Sequence, residues 1–234
     1  MAIHIFCQYW SDAPDDVRDA IRKNYHLPDA SLHIFIETGT DVEWADDMDG
    51  IDFVHTEKRI TYTDFLQRIG EFPVTDYAVL LNSDITVTES TVSKLPPFSS
   101  RTALCVSRRE MDGSLPSSAE GTKPDNCQDV WIMRGHTPTD ELLTACSNLT
   151  MGLPGCENRF AAELAVDGYS VYNPCYDLAF THNTKDPVLS YPDPNDSRRY
   201  NGLYAYLAPC STHDVDVSNY RQFLRYYPKV RGVW

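Results

Sequence analysis

Apolar and polar positions alternate along the first hundred residues in a way that predicts strands and helices in turn. Short apolar runs predict four strands, at residues 4–7, 32–37, 51–55 and 77–81. Helical spacing of apolar residues predicts two helices, at residues 15–23 and 61–69, the second with Thr61 or Thr63 as its N-cap. This rhythm is typical of a mostly parallel, doubly wound sheet flanked by helices, so the predicted fold class is α/β.

The second half of the chain is less regular. Its apolar runs predict strands at residues 103–106, 130–133 and 169–172, and helical spacing predicts a helix at residues 157–166. Residues 111–126 are rich in Gly, Ser, Pro and charge, which indicates a long loop, and the chain from residue 186 onward has no clear period. The chain has no internal repeat, and we expect a single domain over residues 1–234.

Composition and charge narrow the function classes. The net charge is −14, which argues against nucleic acid as a partner because phosphate backbones require clustered Lys and Arg. No apolar run reaches the ~18 residues that a transmembrane helix needs, and residues 1–6 lack the basic start of a signal peptide. The seven cysteines show neither a CxxC pair nor zinc-site spacing. We therefore expect a cytoplasmic protein with reduced cysteines, and the sequence carries no signal for a particular oligomeric state.

The apolar run at residues 77–81 ends abruptly in Asn82, Ser83 and Asp84. Ligands of open α/β sheets bind at the carboxyl ends of the strands. A carboxylate there can hold a hard divalent cation, which in turn can hold a diphosphate. The alternative is that Asp84 only caps a turn or a helix.

Three further residues are candidates for chemistry. Glu157 falls in the first turn of a predicted helix, where it either complements the helix dipole or acts as a general base on an acceptor hydroxyl. Asp129 precedes the apolar run at residues 130–133, where it can bind a sugar hydroxyl or end a loop. His182 follows a predicted strand end and is either a metal ligand or a structural histidine.

Two basic positions stand out in so acidic a chain. Arg59 precedes the helix predicted at residues 61–69, and Arg108 and Arg109 follow the strand predicted at residues 103–106. Arginine suits bidentate contact with phosphate, whereas the alternative is an ordinary surface arginine. The sequence contains no GxSxG, P-loop, GxGxxG or HExxH motif that would point to another chemistry.

In their order along residues 3 to 200, these pieces resemble the GT-A family of nucleotide-sugar glycosyltransferases. The likeness is to small viral and bacterial members, of the type that includes the GT-A-like domain of a chlorella-virus rhamnosyltransferase. The motifs are RITYTD at 59–64, NSDI at 82–85, QDVWI at 128–132, GLPGCENR at 152–159, GYSVYNP at 168–174 and TH at 181–182. The resemblance implies a Rossmann-like GT-A domain, with a nucleotide-binding half at residues 1–100 and an acceptor-binding half with an irregular tail at residues 101–234.

The resemblance also implies an activity: transfer of a sugar from a nucleotide-diphosphate sugar to a hydroxyl acceptor. Asp84 and His182 would ligate Mn²⁺ or Mg²⁺. Glu157 would be the base of an inverting reaction, with Asp129 in reserve. The DxD motif of the family begins with an acid where this chain has Asn82. At the start of the later helix, Asn158 replaces the second acid of the family's usual pair.

Residues around the donor follow from the same resemblance. Gln8, Tyr9 and Glu37 would line the nucleotide base and ribose. Arg59, Tyr62 and Asp64 would flank the diphosphate, and the remaining donor contacts would come from Asn82, Ser83 and Arg108.

Two other functions remain open. A sugar nucleotidyltransferase would carry a glycine-rich, basic signature near its N-terminus, which residues 8–11 lack. A non-catalytic carbohydrate-binding protein on the same fold is favoured by the amides Asn82 and Asn158. Its sugar-stacking side chains would be Tyr191, Tyr200, Tyr204 and Tyr206.

Overall fold

A computed structural model of the chain describes residues 1–116, 124, 127–153, 155–184 and 203–216. The predicted irregular tail falls largely outside the described residues, as do Tyr191 and Tyr200. No helix in the described part of the chain is both long enough and apolar enough to cross a membrane.

Nine strands and five α-helices make up the described fold. The strands are β1 Ile3–Tyr9, β2 Ala30–Glu37, β3 Asp52–Thr56, β4 Tyr77–Leu81, β5 Ile85–Val87, β6 Thr102–Ser107, β7 Gln128–Arg134, β8 Ser170–Tyr172 and β9 Phe180–His182. The helices are α1 Asp15–Tyr25, α2 Tyr62–Ile69, α3 Glu89–Val92, α4 Asp140–Cys146 and α5 Cys156–Val166. Short 3₁₀ turns lie at Glu43–Ala45 and Thr212–Asp214.

Seven strands form a central sheet in the order β3-β2-β1-β4-β7-β6-β8, which confirms the predicted α/β class. Strands β1 to β4 pair in parallel, as do β6 and β8. Strand β7 is the exception, because it is antiparallel to both β4 and β6. An antiparallel neighbour needs no crossover helix, so β7 can follow β6 through a loop. A separate two-stranded sheet pairs β5 with β9.

Alternate residues of the central strands enter two apolar cores, one on each face of the sheet. On β4, Val79 and Leu81 enter the core that contains α1, β5 and β9, whereas Ala78 and Leu80 enter the core that contains α2, α4 and α5. Successive side chains of a strand point to opposite faces, so a sheet covered on both faces requires continuous apolar runs. The sheet therefore separates two layers of helices and short strands.

Helix α2 begins as its sequence predicts. Of the two candidate N-caps, the structure uses Thr61, in a reciprocal capping box with Asp64. The carboxylate of Asp64 accepts from the backbone N–H of Thr61 at 2.6 Å and from its hydroxyl at 2.8 Å. Such a box satisfies two helix-end donors, and its loss typically costs about 1 kcal/mol.

Candidate functional site

The polar residues singled out in the sequence meet at one edge of the sheet. Strands β4 and β6 run toward this edge, where residues 82–84 and 108–110 follow them. Because β7 is antiparallel to both strands, its first residues, Gln128 and Asp129, lie at the same edge. A β7 parallel to its neighbours would place Asp129 at the opposite edge. Because β7 runs in the opposite direction, Asp129 near its start lies at the same edge as the residues that follow β4 and β6.

Asp84 and His182 form the central pair of the site. Oδ2 of Asp84 lies 2.9 Å from Nε2 of His182. Strands β5 and β9 pair so that Ile85 lies opposite His182, and Asn183 N–H donates to the Asp84 carbonyl at 2.7 Å. His182 N–H donates to the carbonyl of Arg109 at 2.8 Å. Backbone bonds on both sides thus hold the carboxylate and the imidazole together.

His182 lies between two carboxylates. Its Nδ1 is 3.7 Å from Oε2 of Glu110, while its Nε2 faces Asp84. Burial lowers the pKa of His182, but the hydrogen bond and the negative charge of Asp84 outweigh burial and leave the pKa above its ordinary value. A divalent cation bound by this ring has to displace its proton.

Both carboxylate oxygens of Asp129 have protein donors. Oδ1 accepts from Nδ2 of Asn82 at 2.6 Å, and Oδ2 accepts from Nη1 of Arg108 at 3.4 Å. Nε of Arg108 donates to Oε1 of Glu110, also at 3.4 Å. Burial raises the pKa of Asp129, whereas the positive charge of Arg108 acts in the opposite direction. Asp129 is thus the middle of a chain of side chains that runs from Asn82 to Arg108.

Glu157 reaches the same group of charges from helix α5. The helix follows Gly155, whose φ of 80° is left-handed and where a Cβ would lie 2.7 Å from the Tyr204 ring. Glu157 is 8% exposed, and burial, followed by the negative charge of Asp129, raises its pKa to about 7. A pKa near the working pH is the property that suits a carboxyl group to general-base catalysis once an acceptor hydroxyl lies within reach.

Asn158 is committed to structural bonds. Its Nδ2 donates to Oε1 of Gln128 at 3.2 Å and to the Ala205 carbonyl at 3.0 Å, and its own carbonyl accepts from Ala205 N–H at 3.0 Å. An ionised carboxylate has no proton to donate to two such acceptors. The amide at this position therefore fits its surroundings, where it ties α5 to the start of β7 and to the segment at residues 203–210.

Arg59 carries a guanidinium group for which the described residues provide no hydrogen-bond acceptor. Its Cζ lies 5.3 Å from the centre of the Trp10 ring, and a Cβ on Gly152 would lie 2.9 Å from its Nη2. The other arginines in the described ranges pair with carboxylates or carbonyls. Stacking on an aromatic ring holds the guanidinium plane while leaving its N–H groups free. Arg59 follows β3 at the carboxyl edge of the parallel strands.

Ser83 and Gln8 lie at this edge but interact with each other. The Ser83 hydroxyl donates to the Gln8 carbonyl at 2.5 Å and accepts from Gln8 N–H at 3.3 Å. These bonds fasten the end of β1 to the residues that follow β4. Both residues are buried, so their clearest role is to hold the site's backbone.

Two of the residues expected beside the diphosphate have their side chains engaged in structural contacts. Tyr62 is 1% exposed, stacks on Phe160 at 4.1 Å between ring centroids, and places its hydroxyl 3.6 Å from Sγ of Cys156. Asp64 is occupied by the capping box of α2. The Tyr62 side chain stabilises the core that contains α2, α4 and α5, and the Asp64 side chain stabilises the start of α2.

The residues assigned to the base and ribose lie at strand ends of the same edge. Tyr9 ends β1, is buried, and has its ring centroid 4.8 Å from that of Trp44. Glu37 ends β2 and is partly exposed.

Glu110 is the residue that the sequence analysis missed. It contacts both Arg108 and His182, and its backbone is held in a turn by bonds with Ser114 and Gly113. The sequence signal for Glu110 was its position directly after Arg108 and Arg109 at the end of a predicted strand. Its partner His182 lies 72 positions away in the printed sequence, and no local pattern joins them.

Comparison with known proteins identifies general architectural likeness. No protein-family model and no curated protein sequence matches the chain. A protein from Desulfovibrio desulfuricans, provisionally assigned as a nucleotide-diphospho-sugar transferase, aligns at 12% identity and TM-score 0.41 over 73% of this chain and 79% of its own. The apo form of glycosyltransferase GlyE from Streptococcus pneumoniae TIGR4 aligns at 14% identity and TM-score 0.43, over 74% of this chain and 45% of its own.

A third structure bears another enzyme name. It is a provisionally assigned glucose-1-phosphate thymidylyltransferase from Bacillus anthracis, in complex with a sucrose, at 8% identity and TM-score 0.44. The alignment covers 74% of this chain and 86% of that one. At such values, function has to rest on the side chains of the site.

Proposed function

We propose that this chain is a metal-dependent glycosyltransferase that moves a sugar from a nucleotide-diphosphate sugar to a hydroxyl acceptor, with inversion at the anomeric carbon. The observation that carries the proposal is the Asp84–His182 pair, with 2.9 Å between Oδ2 and Nε2, beside Asp129, whose charge acts on the buried Glu157 as well. The Asp84–His182 pair suits a cation that holds a diphosphate, and Glu157 suits the deprotonation of an acceptor hydroxyl. The specific relation to the viral rhamnosyltransferase domain remains part of this proposal.

Asp84 and His182 fit Mn²⁺ or Mg²⁺ as a pair of protein ligands. Oxygen and neutral imidazole nitrogen are both acceptable donors, and the two atoms already converge. No group of three or more His, Cys, Asp or Glu suited to a metal occurs among the described residues, which fits a cation held jointly with donor phosphates. When bound, the cation would neutralise the charge that develops on the departing nucleoside diphosphate.

Glu157 is the better candidate for the base. Burial raises the pKa of both carboxyl groups, that of Glu157 to about 7, but both oxygens of Asp129 already accept from Asn82 and Arg108. In the proposed step, Glu157 takes the acceptor's hydroxyl proton while the acceptor oxygen bonds to the anomeric carbon. The bond from that carbon to the diphosphate oxygen breaks on the opposite face, and its electron pair leaves with the nucleoside diphosphate.

Arg59 is the better candidate for direct phosphate contact. Arg108 is engaged by Asp129 and Glu110, so a phosphate would compete with two carboxylates for it. Arg59 has no such competitor within the described ranges, and Trp10 supports its guanidinium plane. A guanidinium group whose N–H donors are not engaged by other described residues matches the bidentate geometry of phosphate oxygens.

The non-catalytic alternative loses part of its support at Tyr204. This ring is buried against Gly155, so it is not a free platform for a sugar. Metal-dependent hydrolysis of a nucleotide sugar in the absence of acceptor would separate an enzyme from a binding protein.

The first test is a thermal-shift panel of nucleoside diphosphates and nucleotide sugars, with and without Mn²⁺. A ligand at ~100 times its Kd adds about 2.7 kcal/mol to the free energy of unfolding, which raises Tm by roughly 5–10 °C in a domain of this size. We expect such a rise for one nucleotide, only with Mn²⁺, and expect Asp84→Ala to abolish it.

The matched control is Asp19→Ala, which removes an exposed carboxylate on α1 and should keep the full shift. A shift of equal size in Asp84→Ala would refute the metal role of Asp84. The absence of any nucleotide shift in the unaltered protein would favour a non-catalytic relative of the fold.

A further inference from the structure

Asn82 occupies a position where an acid would give the site a second carboxylate beside Asp84. We propose that Asp129 is a positioning residue that orients the Asn82 amide, so that Asn82 presents its carbonyl oxygen to the cation and donor phosphates. This inference rests on the proposed function and assigns Asp129 a part other than that of a base.

The contact between the two side chains determines which way the amide faces. The NH₂ group of Asn82 donates to Oδ1 of Asp129 at 2.6 Å, and Oδ2 accepts from Arg108, so both oxygens of Asp129 act as acceptors. The carbonyl oxygen of the planar amide then points away from Asp129. Within the described residues, no donor bonds to this oxygen, and Asn82 is partly exposed whereas Asp129 is 7% exposed.

The other oxygen of Asp129 explains why this orientation is held. Arg108 donates to Oδ2 at 3.4 Å and is itself held by Glu110. Burial raises the pKa of Asp129, and the N–H donors of Arg108 and Asn82, one on each of its oxygens, oppose that rise. A backbone bond from Asn82 N–H to the Asp129 carbonyl, at 2.9 Å, fixes the separation of the two residues.

The same distances predict that the amide and the acid can exchange positions when both residues are changed together. Either change alone should disturb the contact. Asn82→Asp places two carboxylates where 2.6 Å now separates an amide from a carboxylate. Asp129→Asn supplies an NH₂ group that can bond to the Asn82 carbonyl oxygen and turn it away from the donor. When both changes are made, the introduced amide can accept from Arg108 and donate to the introduced carboxylate, whose second oxygen faces the cation.

The experiment compares the unaltered protein with Asn82→Asp, Asp129→Asn and the double variant. Binding of Mn²⁺, alone and with UDP or GDP, is measured from the electron paramagnetic resonance signal of free Mn²⁺, and Tm is measured without metal. We expect Asp129→Asn to weaken Mn²⁺ binding at least tenfold, and the double variant to recover it. In the metal-free protein, Asn82→Asp should lower Tm and the second change should recover most of that loss, a coupling typical of residues in direct contact.

Asp140→Asn, in the first turn of α4, is the control for a carboxylate-to-amide change away from the site. Unchanged Mn²⁺ affinity in Asp129→Asn, or a double variant that binds no better than Asp129→Asn, would overturn the positioning role alone. Failure of the unaltered protein to bind Mn²⁺ with any nucleotide would overturn the proposed function, and this inference with it. The metal-free Tm values detect a variant that has lost its fold.

Discussion

At the residue scale, Glu157 combines burial with titration near neutral pH, and this couples chemistry to stability. Its pKa rises from 4.5 to about 7 on folding, so between these pH values the folded state holds a proton that the unfolded state releases. The stability contributed by the protonated form is therefore present at low pH and is lost as pH rises through about 7. Above that pH, Glu157 is ionised although it is buried.

Glu157→Gln should remove this pH dependence. We expect the variant to gain up to about 3 kcal/mol relative to the unaltered protein at pH 8, and little at pH 4, when Tm is measured across that range. Sugar transfer should fall at least about a hundredfold in the same variant, because an amide cannot take the hydroxyl proton. Glu141→Gln, an exposed change on α4, should alter neither property. A parallel pH profile in Glu157→Gln would contradict the assigned pKa.

Arg59 offers a second test at this scale. Because its guanidinium has no hydrogen-bond partner among the described residues, Arg59→Gln should change Tm little while weakening nucleoside diphosphate binding by roughly 10- to 100-fold. Isothermal titration with Mn²⁺ present would measure the loss. Arg18→Gln, which breaks only an exposed pair with Asp15, serves as the control. Equal affinity in Arg59→Gln and the unaltered protein would place the phosphates elsewhere.

At the element scale, strand β5 has to be held correctly for Asp84 to meet His182. Asn24 on α1 does this, since its Nδ2 donates to the Ile85 carbonyl at 2.9 Å and its Oδ1 accepts from Val87 N–H at 3.0 Å. Both bonds are buried. One helix side chain thus fixes a three-residue strand that directly follows the candidate metal ligand.

Asn24→Ala should therefore destabilise the protein and disturb the site together. Two backbone groups lose their bonds, at a cost of about 2–4 kcal/mol in the free energy of unfolding, measured by urea denaturation. We also expect weaker Mn²⁺ binding, because β5 carries Asp84 toward β9. Asn148→Ala removes an exposed amide and should change neither value. Full Mn²⁺ affinity in a destabilised Asn24→Ala would show that β5 does not need this clamp.

The elements that the sequence predicted best are those with long or strongly periodic patterns. The strand at residues 77–81 was predicted with its observed bounds, because five consecutive apolar residues belong to a strand buried on both faces. Strand β5 and helix α4 were not predicted. β5 has three residues held by α1 and β9, and only two residues of α4, Leu142 and Cys146, are buried. Such short elements depend on their neighbours more than on their own periodicity.

At the scale of the whole molecule, a net charge of −14 opposes the binding of an anionic donor. Without a divalent cation, long-range repulsion should dominate, and added salt should screen it. We therefore expect the affinity for a nucleoside diphosphate in EDTA to rise as NaCl increases from about 20 to about 300 mM, over which the Debye length falls several-fold. The corresponding uncharged nucleoside should show no such trend. An affinity that falls with salt would mean that local cations such as Arg59 outweigh the net charge.

The candidate site was predicted in part. Asp84, Asp129, Glu157 and His182 were each singled out by residue type and by position relative to a predicted element, and the structure brings them into one electrostatic cluster. Tyr62 was selected only through the family resemblance, and its ring lies in the core that contains α2, α4 and α5. A motif position alone does not tell on which side of a helix a side chain lies.

Local patterns were enough to predict the α/β class, most of the strands and the polar residues at strand ends, because apolar periodicity and helix caps are local properties. The folded structure was needed to show that β7 runs against its neighbours, that β9 pairs with β5, and that Glu110 lies between Arg108 and His182. Those contacts join residues far apart in the chain, and their free energy comes from packing and pairing that no local pattern encodes. The proposed chemistry depends on them, since a carboxylate becomes a ligand, a base or a positioning residue according to which groups lie beside it.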